Sequence, residues 1–150
     1  MSYELVDKSV NYREKPEKYI IGRGQFGMLI YEPYKSELLP FFRYKSVKAA
    51  KRSIEKILYR FNKYIEEGDF VGADMSKKYL HGGYTRSLRY ANYNLGRKYD
   101  ENGEEKEKLK LGDRDKEKCE ITKMYKEAWK EAIGNEKYKE MKREFRKKYK

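Results

Sequence analysis

The sequence predicts a mainly α-helical fold: a compact helical domain with one small N-terminal β-hairpin and a C-terminal helical pair. Three observations carry this expectation. Apolar residues recur at three- and four-residue spacing in several segments after residue 46. Only one pair of β-branched and aromatic runs flanks a glycine turn. The 150 residues suit a single domain with a modest core. Charged residues reach 41%, against about 25% in an average globular chain, so most of the surface is charged. Aliphatic residues are sparse, and the 16 Tyr, 6 Phe and 1 Trp must supply much of the buried area.

Residues 1–18 are polar and without apolar period, and read as a flexible arm. Residues 19–32 (YIIGRGQFGMLIYE) read as the hairpin, with 19–21 and 26–32 as strands. The turn spells Gly22-x-Gly24-x-x-Gly27. A dinucleotide fold needs a helix after that motif, and MLIYEP is strand-like instead. A kinase-type glycine loop suits a hairpin, but the lysine and aspartate motifs that accompany it are missing, so a plain turn is expected. Pro33 and Pro40 break residues 33–46 into a linker, anchored by Leu38, Leu39, Phe41 and Phe42.

Residues 47–67 carry the clearest helical stripe, from Val47 through Ile57 and Phe61 to Ile65, with Ser46 as cap and Gly68 as stop. A second helix is expected over 69–82, capped by Asp69 and ended by Gly82. A third runs from Tyr84 or Thr85 to about Asn94, with Leu88, Ala91 and Leu95 inward. That order, helix, glycine turn, helix, is the spacing of a helix-turn-helix. Residues 100–115 read as a charged loop, and 116–150 as two more helices broken at Gly134.

The formal charge of +12 points to a polyanionic partner. Met75–Tyr99 holds no Asp or Glu, yet carries Lys77, Lys78, Arg86, Arg89, Arg97 and Lys98 with tyrosines threaded between them. Arg43 and Lys45 open a second acid-free run that continues through Lys48, Lys51 and Arg52. Cations neutralise phosphates, and exposed rings such as Tyr90 and Tyr93 stack on bases. Nucleic acid, DNA or RNA, is therefore the expected partner. The competing explanations are a lysine-rich composition of A/T-rich codons, with Lys outnumbering Arg 26 to 11, and internal pairing of the arginines with Glu66, Glu67, Asp69 or Asp74.

Enzymatic chemistry is less well supported. Cys119 is the single cysteine and His81 the single histidine, with no spacing that joins them or builds a metal site. Asp69, Asp74 and His81 form the one remaining catalytic candidate set, and no cofactor is expected. The N-terminus lacks an apolar signal core, and no run approaches the roughly 20 residues of a membrane span, so an intracellular protein is expected, not a secreted one.

The block GDFVGADMSKKYLHGGYTRSLRYANYNLGRKYDENG, with IGRGQFGMLIYEPYKSELLPFFRYKS before it, resembles the family catalogued as domain of unknown function 4385. The likeness covers about residues 19–103. It implies a bacterial, phage or large-DNA-virus source. It carries no activity, substrate or catalytic residue to these positions. A small, very basic, tyrosine-rich chain also suits an alternative role as a structural or genome-packaging part of a virus particle, beside virion proteins.

Overall fold

The computed structural model describes residues 6–93, 99–105 and 116–149. Among the described residues there are five α-helices: α1 (Tyr34–Leu38), α2 (Val47–Glu66), α3 (Phe70–Asn92), α4 (Lys116–Ile133) and α5 (Glu136–Tyr149). Helix α3 is the hub. It packs against α2 and α4, which also touch each other, and α1 and α5 lie on it as well. Among the described residues no helix is long and apolar enough to cross a membrane.

Helix α2 forms where its stripe places it. Ser46 accepts the Ala49 N–H at 3.1 Å, and Ala50, Ile57, Phe61 and Tyr64 are buried. Gly68 follows at φ +72°, a left-handed stop that suits glycine. Asp69 then caps α3 by accepting the Gly72 N–H at 3.0 Å.

The expected helix-turn-helix is absent: α3 runs unbroken through Gly82 and Gly83. These glycines serve close approach instead of a turn. A Cβ on Gly83 would lie 2.3 Å from the Tyr125 ring of α4, and one on Gly82 would lie 3.1 Å from the Met28 sulfur. Gly83→Ala is therefore expected to destabilise the protein by about 1–3 kcal/mol through overpacking, despite the roughly 1 kcal/mol that alanine gains over glycine in a helix. Thermal melts check this. A neutral or stabilised variant would mean that α4 does not sit on α3 at this point.

The expected β-hairpin is also absent. Among the described residues there is no strand, only an isolated bridge between Tyr99 and Glu105. Residues 19–32 wind through successive turns, with Gly22, Gly24 and Gly27 all at positive φ. The cause is long-range. Lys78 of α3 donates from Nζ to the carbonyls of Ile21 and Phe26, and Tyr79 donates to that of Met28 at 2.6 Å. Carbonyls gathered onto α3 in this way leave no ladder for a strand pair.

The core is aromatic, as composition required. Tyr12, Tyr19, Tyr31, Tyr34, Tyr64, Tyr79 and Tyr125 are all but fully buried. Residues 6–18, read as an arm, contribute Val6 and Tyr12 to this core, and Arg13 pairs with Glu37 at 2.7 Å. The charged connection expected over 100–115 lies in large part outside the described residues. Beyond it, α4 and α5 form the C-terminal pair, joined across Gly134.

Candidate nucleic-acid interface

The short segment between Pro40 and α2 alternates ring and cation: Phe42, Arg43, Tyr44, Lys45. Its backbone is tied down at every residue from 43 to 45. The Arg43 N–H donates to Ser53 Oγ at 3.1 Å, and the Arg43 carbonyl accepts from the Tyr125 hydroxyl at 2.5 Å. Ser53 and Tyr125 close this small ring with a 2.7 Å hydrogen bond of their own. Lys118 of α4 donates from Nζ to the carbonyls of Lys45 at 2.8 Å and Tyr44 at 3.4 Å. An irregular segment thereby gains the rigidity of the helices beneath it.

The last turns of α3 face this segment. The Arg86 guanidinium sits 5.4 Å from the centroid of the buried Phe42 ring, a cation–π contact that orients it. One turn on, Tyr90 meets Tyr44 with centroids 6.3 Å apart. Arg43, Lys45, Arg89 and Tyr90 are exposed, and Arg86 is half-buried. Among the described residues none of these four cations forms an ion pair; Asp69 pairs with Arg13, and Asp74 with Lys77 and Lys78. Glu117 is the neighbouring acid, and one of its oxygens accepts the Val47 N–H at the start of α2. Five of the expected contact residues thus converge on one anchored surface.

The others do not. Lys78, expected on that surface, has no exposed side chain, and Lys77 keeps only 13% of its own. Both flank Asp74, at 3.9 and 3.5 Å, because three- and four-residue steps on α3 place them beside it. Asp74 is fully buried and also accepts from Tyr19 at 2.5 Å and Tyr138 at 2.6 Å. Burial raises its pKa, but the two lysines and two hydroxyls outweigh this and hold it below the usual carboxylate range. Burial brings Lys78 down to about 8, against the attraction of Asp74. Tyr93, expected to stack on bases, is instead buried just past the end of α3, its N–H bonded to the Arg89 carbonyl at 2.9 Å. Arg97 and Lys98 lie outside the described residues.

The catalytic candidates are occupied elsewhere. Asp69 caps α3 and accepts from the Tyr34 hydroxyl at 2.8 Å, and Asp74 is the buried hub just described. His81 stacks on Trp129, with centroids 4.5 Å apart and planes 16° from parallel. Burial, and then Lys77, lowers the His81 imidazole below its ordinary value. Among the described residues no group of three or more His, Cys, Asp and Glu is placed to hold a metal ion. A groove of about 560 Å³ opens at the other end of the molecule, between α5 and the start of α3. Glu67, Asp69 and Glu144 line it together with Arg13, Lys137 and Lys148, so its charge is mixed.

Sequence reasoning missed Tyr44, Lys118, Ser53 and Tyr125 as parts of this surface. The ring–cation alternation at 42–45 was a readable signal for Tyr44. Nothing local points to Ser53, Lys118 or Tyr125, which lie 10, 73 and 82 residues along the chain from their partners.

The chain belongs to the family described as domain of unknown function DUF4385, whose model matches residues 2–148. No curated protein and no solved structure matches it.

Proposed function

We propose that this member of the DUF4385 family is a non-enzymatic protein that binds nucleic acid chiefly through its phosphates. The contact surface is formed by Arg43, Lys45, Arg86 and Arg89. One observation carries the reading: four cations, none in an ion pair among the described residues, lie on the carbonyl-anchored 42–45 segment and on the end of α3 that meets it through the Arg86–Phe42 and Tyr90–Tyr44 contacts. Surface cations without an ion pair add little to a fold's stability. They attract polyanions, and each phosphate neutralised releases counterion. Such contacts position the protein without reading sequence. The Asp69, Asp74 and His81 set supports an enzyme less well, because each side chain already holds structure together.

The double variant Arg86→Ala, Arg89→Ala tests this. Its affinity for nucleic acid is expected to fall, and its log–log salt slope to flatten by about 1.4 on a single strand or about 1.8 on a duplex. Its stability is expected to change by no more than about 1 kcal/mol, most of it from the lost Arg86–Phe42 contact. Unchanged affinity with lowered stability would remove these residues from the interface.

A further inference from the structure

We infer that the nucleic acid taken by this surface is single-stranded, with unpaired bases stacking on Tyr90 and Tyr44. The inference rests on the reading above and specifies the form of its ligand. Tyr90 keeps 44% of its surface exposed in a chain that buries most of its tyrosines. Tyr44 is half-buried beside it. Their planes are inclined by 45° at 6.3 Å, an arrangement in which neither ring covers the other. Both rings are held in place. Tyr44 leans on the Phe42 ring at 5.3 Å, and the Lys118 ammonium, itself tethered to the 44–45 carbonyls, stands 5.8 Å from the centre of Tyr90. A fixed aromatic platform flanked by Arg43, Lys45, Arg86 and Arg89 is the pairing of stacking surface and charged track that holds single strands.

The fold argues against a duplex read through its grooves. Groove reading needs a helix or ribbon that projects from the body. Helix α3, which bears Arg86, Arg89 and Tyr90, is packed against α1, α2, α4 and α5 and is the least able to project. In a duplex the base faces are also stacked on one another, where a surface tyrosine does not reach them.

The test compares a fluorescent thymidine oligonucleotide with a duplex of equal length by anisotropy at low salt, using the full chain and two variants. The single strand is expected to bind at least about tenfold tighter than the duplex. Tyr90→Ala is expected to lose about five- to hundredfold in affinity for the single strand, the usual effect of removing one stacking ring, and to leave duplex affinity unchanged. Tyr90→Phe, which keeps the ring, is expected to restore single-strand binding. Equal or tighter binding of duplex, or a folded Tyr90→Ala with unaltered single-strand affinity, overturns this inference while the phosphate-binding reading stands. Absence of binding to either form overturns that reading, and this inference with it.

Discussion

Asp74→Ala is expected to lower stability by about 3–5 kcal/mol, the range for breaking a buried ion pair by removing one partner. Against a total of about 5–15 kcal/mol for a domain, that brings the protein close to unfolding. The carboxylate is fully buried and serves four groups on three separate parts of the chain: Tyr19, Lys77 and Lys78, and Tyr138. Without it two tyrosine hydroxyls lose their acceptor, and the Lys78 ammonium loses its carboxylate, keeping the Ile21 and Phe26 carbonyls as acceptors. Asp74→Asn keeps an acceptor but not the charge, and is expected to fall between. Pairing Asp74→Ala with Lys78→Met is expected to recover part of the loss, since it removes the charge that Asp74→Ala alone leaves stranded. Urea unfolding followed by helical circular dichroism measures all three. A loss below about 1 kcal/mol for Asp74→Ala would show that this hub does not hold α3, α5 and the N-terminal turns together.

The protein is expected to unfold cooperatively between about pH 10 and pH 12. Burial pushes the Tyr31 and Tyr125 phenols up to about 12, and Tyr19, Tyr34, Tyr64, Tyr79 and Tyr138 are raised as well, burial being the first cause for each. A phenol raised in the folded state ionises first in the unfolded chain. Its stabilising contribution is therefore whole below about pH 10 and lost as pH rises through the folded value. Tyr31 and Tyr125 each lose about 2 kcal/mol by pH 12, and together they approach the lower bound of a domain's stability. Lys78 acts in the opposite sense. Its folded value of about 8 lies below its unfolded one, so its contribution rises with pH from about 8 to about 10. Net charge also falls toward zero near the sequence pI of 9.5, which relieves self-repulsion. The expected profile is thus a gentle gain followed by abrupt loss. Tyrosinate absorbance and helical dichroism, titrated together, give the answer. Buried tyrosines ionising in one step with loss of helix is the predicted result. All of them titrating near pH 10 with helix retained would contradict the aromatic core described.

The parts of the fold that were legible in the sequence are those with local causes. Helix α2 announced itself through apolar spacing, the Ser46 cap and the Gly68 stop, all within its own length. The Asp69 cap and the C-terminal helices were readable for the same reason. The errors arose where a distant partner decides local structure. Gly82 and Gly83 resemble a turn, until Tyr125 and Met28 are seen to need the room. The 19–32 runs resemble strands, until Lys78 claims their carbonyls from 57 and 52 residues away.

The same holds for the candidate site. The acid-free stretch of cations was plain, but its division was not. Asp74 draws Lys77 and Lys78 inward by helical spacing, whereas Arg86 and Arg89 fall beyond its reach; Arg86 meets Phe42 instead, and Arg89 is exposed. Periodicity alone did not separate these groups, because which face of α3 is inner depends on where α4 and α5 pack.

Binding of nucleic acid across a salt series tests the central claim most directly. With four phosphate contacts from Arg43, Lys45, Arg86 and Arg89, log affinity for a single strand is expected to fall linearly with log salt at a slope of about −3. That amounts to roughly fiftyfold between about 50 and about 200 mM salt. No detectable binding at the low-salt end, or an affinity that does not change with salt, would contradict it.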